Sequence, residues 1–145
     1  MLIREIMTQP AIHIAPEETV EVAARTLTQY NIGMLPVCTA TGKLCGVITD
    51  RDLVTRCVAS GREPGKTPVR DVMTGKVEMA KPDMDAGVAA HLMGRLQVRR
   101  LPVVENGRLC GMVSIGDLAK REQTVMDAAD ALSDISESIS HGKDW

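Results

Sequence analysis

The chain has 145 residues, and 44% of them are hydrophobic, which is enough for a globular protein with its own core. Its formal net charge is −2 and only 1% of it is aromatic, so it lacks the basic excess and the stacking rings of a nucleic-acid-binding surface. No apolar run reaches the roughly 18 residues of a membrane span, and the charged start lacks the apolar core of a signal peptide. We therefore expect a cytoplasmic protein that binds neither nucleic acid nor membrane.

An internal repeat organises the sequence. A six-residue segment that ends in M-T and the triplet L-P-V each occur twice, 66 residues apart. A segment that ends in D-L occurs twice, 65 residues apart, because the intervening turn is one residue shorter in the second copy. The preserved order indicates a duplication. The matching pairs are 3–8 with 69–74, 35–37 with 101–103, and 46–53 with 111–118.

Each copy predicts the order strand, helix, strand, strand, helix. The first strands are short alternating stretches that a proline ends. The first helices begin at the caps Thr19 and Asp85, and an antiparallel hairpin follows, with L-P-V in its first strand. The last helices begin near Asp50 and Ile115. The predicted first strands are Ile12–Ile14 and Val77–Met79, ended by Pro16 and Pro82.

The repeat predicts an α+β fold made of two β-α-β-β-α units. We expect the first unit at 1–59, a linker rich in Gly and Pro at 60–68, the second unit at 69–122 and a helical tail at 123–145. A unit of about 60 residues buries too little surface to be more than marginally stable alone. We therefore expect the two units to pack face to face with pseudo-twofold symmetry.

The tail predicts a helix that runs on from Arg121 without Gly or Pro. Apolar residues recur in it at spacings of 3 and 4, so one side must bury against a partner. That partner is the rest of this chain, a second subunit, or a separate protein. The predicted apolar stripe is Val125, Ala128, Leu132, Ile135 and Ile139.

Three motifs occur in both copies: D/E-h-M-T, L-P-V, and G-h-h-T/S-x-x-D-L, where h is hydrophobic. With these motifs the chain resembles a tandem CBS-domain pair, or Bateman module, over residues 2–122. The stretch N-I-G-M-L-P-V-C followed by G-V-I-T-D-R-D-L-V is similar to the stand-alone bacterial type, including the hypoxic-response CBS proteins. The resemblance implies a homodimer whose clefts between CBS units bind an adenine nucleotide or adenosyl ligand: AMP, ATP, ADP or S-adenosylmethionine.

The T/S-x-x-D pairs are the candidate ribose contacts. The resemblance implies that the pairs Thr49–Asp52 and Ser114–Asp117 serve ribose recognition. In each pair the carboxylate can accept hydrogen bonds from both ribose hydroxyls, while the Thr or Ser hydroxyl and nearby backbone amides face the phosphate. The same pattern is that of a helix cap, and for one copy alone this plainer interpretation would be preferred.

Other contacts follow from the resemblance. Arg100, with Arg99 beside it, occupies the position of a phosphate-binding base, and the alternative is a solvated pair at a strand edge. Arg51 could reach a phosphate or form an ion pair. The adenine edge is expected at the backbone near Ile12 or Val77, which are core residues otherwise.

No catalytic or metal-binding set is predicted, and we expect a regulatory protein rather than an enzyme. The cysteines include no C-x-x-C pair and are expected to be reduced, buried thiols. The leading hypothesis is a module that needs no cofactor and signals ligand binding to an unidentified partner protein. The alternative is a ligand-free structural or protein-interaction dimer. The cysteines are Cys38, Cys45, Cys57 and Cys110. The histidines have no nucleophile or metal partner at a recognisable spacing and are expected to be surface residues: His13, His91 and His141.

Overall fold

The computed structural model describes the backbone of residues 1–141 and the side chains of residues 1–137. The helices are α1 (Val20–Tyr30), α2 (Asp50–Asp52), α3 (Ala86–Leu96), α4 (Ile115–Ala119) and α5 (Val125–His141). The strands are β1 (Met34–Cys38), β2 (Leu44–Thr49), β3 (Arg100–Glu105) and β4 (Arg108–Ser114). Helix α2 continues as a π-helix, Leu53–Val58, and short 3-10 turns lie at Ile3–Glu5, Pro64–Lys66 and Val69–Asp71.

Two antiparallel hairpins form the sheets and confirm the predicted α+β class. Strand β1 pairs with β2, and β3 pairs with β4, in two separate two-stranded sheets. In the first hairpin Met34 lies opposite Thr49 and Val37 lies opposite Gly46, with a bulge after Val37. Thr49 therefore leaves β2 at the same end at which the chain enters β1.

The predicted first strands are wrong in extent. Only one residue of each copy pairs with its hairpin, Ile14 with Val37 and Ala80 with Val103, both in parallel bridges. The Ile14 amide donates to the Pro36 carbonyl at 3.0 Å, and the equivalent bond in the second copy measures 2.8 Å. In the second copy the position is wrong as well, because Ala80 lies outside the predicted strand and is buried, whereas Met79 is 38% exposed. Alternation over three residues therefore determines neither how many residues pair nor, in the second copy, which of them faces inward.

Helices α1 and α3 begin at the predicted caps. The Thr19 hydroxyl accepts a hydrogen bond from the Val22 amide at 3.2 Å, and the Asp85 carboxylate accepts one from the Gly87 amide at 2.9 Å. Each bond satisfies an amide of the first turn that has no partner within the helix. The buried side chains are Val20, Ala23 and Leu27 in α1 and Ala86, Ala89, Ala90 and Met93 in α3.

The compact units of the structure do not coincide with the copies of the repeat. One unit, here called the β1–β2 unit, contains Ala11–Val77 and Gly107–Leu109. The other, the β3–β4 unit, contains Met1–Pro10, Glu78–Asn106 and the chain from Cys110 on. The leading M-T segment of each copy thus belongs to the unit built on the other copy's hairpin.

Backbone pairing accounts for this exchange. Thr74 and Val47 exchange two hydrogen bonds, at 2.8 and 3.0 Å, so the second copy's M-T segment lies beside β2. Thr8 and Met112 exchange two bonds at the same two distances beside β4. Each two-stranded hairpin thereby gains a further backbone partner along one edge.

Helix α5 packs on α3 and α4 within the β3–β4 unit, which settles the partner of its buried side. It buries Ala128, Ala131 and Ile135, each 5% exposed or less. The predicted stripe is confirmed at Ala128 and Ile135 but wrong at Val125 and Leu132, which are 40% and 41% exposed. Small residues bring the helices together: a Cβ on Gly94 of α3 would lie 3.2 Å from the Cα of Ala131. The Ile139 side chain lies outside the described residues.

The tail helix begins at Val125 rather than running on from Arg121. Between α4 and α5 the chain turns, and the Thr124 side chain is 3% exposed. Its hydroxyl donates to the Leu118 carbonyl at 2.6 Å and so satisfies a carbonyl at the end of α4. Apolar spacing alone did not indicate this break.

Candidate functional site

The first T/S-x-x-D pair forms a closed corner between β2 and α2. The Thr49 hydroxyl accepts a hydrogen bond from the Asp52 amide at 3.0 Å. The Asp52 carboxylate accepts one from the Thr49 amide at 3.1 Å. These two bonds form a reciprocal capping box, which fixes the position of both side chains at the end of the strand.

The second pair repeats this corner between β4 and α4. The Ser114 hydroxyl accepts from the Asp117 amide at 3.1 Å, and the Asp117 carboxylate accepts from the Ser114 amide at 2.8 Å. The capping interpretation of both pairs is therefore confirmed. A capping box uses one oxygen of each carboxylate, so the second oxygen remains for another donor, and the ribose contact stays a prediction.

The two carboxylates differ in their other partners. Asp52 is 7% exposed, and the Thr74 hydroxyl lies 3.4 Å from each of its oxygens. The Arg56 Nε lies 3.8 Å from the Asp52 Oδ1. Neither neighbour was predicted. Thr74 comes from the other copy's M-T segment, and the repeat does not show that the segments are exchanged. Arg56 lies four residues after Asp52 in the same copy, and this spacing was overlooked.

Asp117 lines a cavity of about 330 Å³ together with Ile6, Lys120 and Arg121. Apart from the bond from the Ser114 amide, the Asp117 carboxylate has no hydrogen bond or ion pair with the described residues. The exposed cations Lys120 and Arg121 were missed by the sequence analysis. Alignment of the copies could have found Arg121, because it falls opposite Arg56 at the offset of 65.

Arg99 and Arg100 are exposed at the start of β3. The Arg99 carbonyl accepts a hydrogen bond from the Ile115 amide at 2.9 Å, which brings its backbone to the first residue of α4, beside Ser114. In the first copy Gly33 takes this place and its carbonyl accepts from the Asp50 amide at 3.0 Å. The structure thus brings Arg99, but no basic residue of the first copy, to this point of the corner.

The remaining predicted contacts are Arg51, Ile12 and Val77, and no hydrogen bond or bridge of the structure joins them. Arg51 is exposed, and its amide donates to the Asp50 carboxylate at 2.8 Å. Ile12 and Val77 are half-buried and form no bridge with a strand. Their suggested role at the adenine edge stays a prediction.

The β1–β2 unit contains a second cavity, of about 440 Å³, that the sequence analysis did not predict. It lies where the chain enters α1 and leaves β1, and it combines exposed acidic residues with a buried thiol. Its lining includes His13, Glu17, Glu18, Val22, Cys38 and Thr39.

The cysteines are free thiols; Cys38 and Cys57 are buried, as expected, whereas Cys45 and Cys110 are only half-buried. Burial raises the pKa of Cys38 to about 11, with a smaller contribution from Cys45. The pKa values of Cys45 and Cys110 are raised as well, chiefly by burial. Both of these thiols donate to a strand carbonyl, Cys45 to Val37 and Cys110 to Val103, at 3.2 Å. Protonated thiols are poor nucleophiles and poor metal ligands.

The sequence model of the CBS domain matches the chain twice, over residues 3–59 and 69–124. The chain belongs to the CBS domain family. CBS domain-containing protein YhcV of Bacillus subtilis is 37% identical over 139 residues, which cover 96% of this chain and 98% of that protein. Hypoxic response protein 1 of Mycobacterium tuberculosis is 30% identical over 117 residues, which cover 81% of this chain and 82% of that protein. The predicted likeness to the stand-alone type is confirmed.

Solved structures show the same architecture. Hypoxic Response Protein I, solved with two coordinated zinc ions, has a TM-score of 0.78 at 29% identity, over 83% of this chain and 98% of that one. The CBS domain pair of protein MJ0100, in complex with 5′-methylthioadenosine and S-adenosyl-L-methionine, has a TM-score of 0.73 at 28% identity, over 83% of this chain and 94% of that one.

In the described part of this chain, no group of three or more His, Cys, Asp or Glu side chains is placed to hold a metal ion. None of the helices in this part has the length and apolar character needed to cross a membrane.

Proposed function

We propose that this protein is a stand-alone regulatory module that binds an adenine nucleotide or adenosyl ligand, such as AMP, ATP, ADP or S-adenosylmethionine. The observation that carries the proposal is the Asp117 carboxylate, fixed at one oxygen by the Ser114 amide and open at the other beside a cavity. An oriented carboxylate acceptor suits a ribose diol, which offers two hydroxyl donors. The related MJ0100 pair, which holds two adenosyl ligands, supports this class of ligand.

Asp52 offers the same acceptor in the first copy, so the chain has two candidate ribose contacts. For the phosphate we propose Arg99 and Arg100, because the backbone of Arg99 is bonded to the first residue of α4. Arg51 is the corresponding proposal for the first copy. The adenine edge is assigned to the backbone near Ile12 or Val77.

Ligand binding at these corners regulates by changing the conformation that a partner protein recognises. We propose that the protein acts as a homodimer in the cytoplasm and has no catalytic activity of its own. A sensing role requires only differential binding between two conformations, so no reacting group is needed at the site.

The test is calorimetric titration of AMP, ADP, ATP and S-adenosylmethionine into the purified protein. At least one ligand is expected to bind, and Asp117→Asn is expected to weaken it about tenfold or more, because one charged acceptor is lost. Asp83→Asn is the matched control, since Asp83 is an exposed carboxylate of the same unit. Absence of binding by all four ligands, or equal binding by Asp117→Asn and the control, would contradict the proposal.

A second candidate function is a ligand-free interaction dimer. The observation that favours it is the outer side of α5, where Met126 is 71% exposed beside Val125 and Leu132. Met126→Asp in the full chain, followed by measurement of the oligomer mass, separates the two functions, because it changes the exposed side of α5 and leaves the buried side intact. If the dimer is lost and nucleotide binding is intact, α5 serves dimer assembly and the nucleotide-binding function stands. If the natural protein binds no nucleotide, the interaction dimer is favoured.

A further inference from the structure

We propose that Thr74 and Arg56 are internal competitors for Asp52, so that a nucleotide enters the first copy's corner only by displacing them. This inference rests on the proposed function and concerns the regulation of the same site. It assigns different roles to the two T/S-x-x-D corners. Asp117 is open to ligand, whereas Asp52 is already engaged by residues that hold the second copy's M-T segment.

The contacts of Asp52 carry the first step. Its Oδ2 accepts from the Thr49 amide at 3.1 Å, which is the capping bond and stays in place. The Thr74 hydroxyl lies 3.4 Å from both oxygens and donates to them as a shared, long hydrogen bond. Good hydroxyl bonds measure about 2.7–2.8 Å, so a ribose hydroxyl at that distance would be a better donor than Thr74.

Arg56 carries the second step. Its Nη1 donates to the carbonyls of Val72 and Met73, at 3.3 and 2.9 Å, while its Nε lies 3.8 Å from Asp52. One guanidinium thus joins the candidate ligand-binding carboxylate to the backbone just before Thr74. Displacement of Arg56 and Thr74 from Asp52 by a ligand therefore changes the contacts of the segment from Val72 to Thr74.

The other corner lacks this double engagement. Arg121, the counterpart of Arg56, has one contact with the exchanged segment, a 3.5 Å bond to the Glu5 carbonyl, and forms no ion pair with Asp117 among the described residues. Thr8, the counterpart of Thr74, donates no described side-chain bond to Asp117. Asp117 also lines the cavity beside Arg121, and Asp52 is the more buried carboxylate.

Two consequences follow for binding. A ligand fills the Asp117 corner first, because no internal donor has to leave. At Asp52 the same ligand binds more weakly, and its binding loosens the pairing of Thr74 with Val47. Ligand binding at the first copy's corner therefore changes the conformation of the segment that joins the two copies.

The experiment uses the full chain with Asp117→Asn, so that only the Asp52 corner remains, and titrates AMP and S-adenosylmethionine. Thr74→Val keeps the branched shape and the backbone bonds but removes the competing hydroxyl. It is expected to tighten binding by about two- to tenfold, the range that corresponds to one hydrogen bond. Thr8→Val, the matched control in the same background, is expected to leave the affinity unchanged, and Thr74→Ser is expected to behave like the parent.

A second measurement needs no substitution at Thr74. Amide hydrogen exchange at Thr74 and Val47 is expected to become faster when the Asp117→Asn protein is saturated with ligand. Unchanged or weakened binding in Thr74→Val, or an equal gain in Thr8→Val, overturns the inference while the proposed function stands. If the natural protein binds none of AMP, ADP, ATP and S-adenosylmethionine, the proposed function fails and this inference fails with it.

Discussion

Gly46 of β2 lies directly against the backbone of Thr74, and a Cβ at Gly46 would be 2.6 Å from the Thr74 carbonyl oxygen. The second copy has the same relationship, with 2.8 Å between a Cβ on Gly111 and the Thr8 carbonyl oxygen. Both glycines precede the residue that pairs with the exchanged M-T segment. Glycine is therefore needed at these positions for close approach of two backbones.

Gly46→Ala is expected to lower the free energy of unfolding by about 1–3 kcal/mol, because the added methyl group meets a backbone oxygen that cannot turn away. Urea denaturation measures the change. Gly75→Ala is the control, since a Cβ there has no heavy atom within 4 Å, and it is expected to stay within about 0.5 kcal/mol of the natural protein. Equal effects of the two substitutions would show that the segment does not approach β2 this closely.

Ile135→Ala is expected to lower the free energy of unfolding by about 2–4 kcal/mol, because Ile135 is 5% exposed in the contact of α5 with its unit. Leu132→Ala on the same helix removes a side chain that is 41% exposed, and it is expected to cost about 1 kcal/mol or less. Thermal or urea unfolding of both variants makes the comparison. Comparable losses from the two substitutions would support the stripe predicted from the sequence instead, because that stripe buries both residues.

Thr124→Val is expected to cost about 1 kcal/mol, because the Leu118 carbonyl loses the buried hydroxyl that donates to it at 2.6 Å. Thr124→Ser keeps the hydroxyl and loses only a methyl group. Chemical denaturation of the pair isolates the hydrogen bond from the packing. Equal stability of the natural protein and Thr124→Val would mean that the bond does not hold the junction of α4 and α5.

Deprotonation of Cys38 is expected to lower the free energy of unfolding in alkaline solution. Burial raises the pKa of its thiol from 9.0 in the free residue to about 11 in the folded chain, so the folded state holds the proton more tightly than the unfolded state. This contribution is complete below pH 9 and disappears as the pH rises to 11. The difference in unfolding free energy between the natural protein and Cys38→Ala should shrink over that interval. A constant difference would show that Cys38 titrates normally.

The sequence predicted the local structure of each copy well. Thr19 and Asp85 are capping residues in the structure, because a cap is a contact between residues two or three apart and leaves a local signal. The hairpins were predictable for the same reason. The first strands were not, because the pairing of Ile14 with Val37 depends on how far the chain runs beside its partner.

The candidate site was predicted only in part. The reciprocal bonds of Ser114 with Asp117 follow from the T/S-x-x-D pattern. The contact of Thr74 with Asp52 spans 22 residues and joins different copies, so no spacing rule indicates it. The buried side of α5 was predicted at Ala128 and Ile135, but large apolar residues were preferred, so exposed Leu132 was included and buried Ala131 was left out.

The exchanged M-T segments mean that neither copy of the repeat contains all of its own backbone partners. A chain cut within 60–68 would leave β2 without Thr74 beside Val47, and the separate second half would leave Met112 without Thr8. Each half would then present an exposed strand edge and a loose segment that fits the edge of the other half. Two separately made halves are therefore expected to reassemble by complementation. One half alone is expected to aggregate, because its exposed strand edge can pair with strands of other molecules.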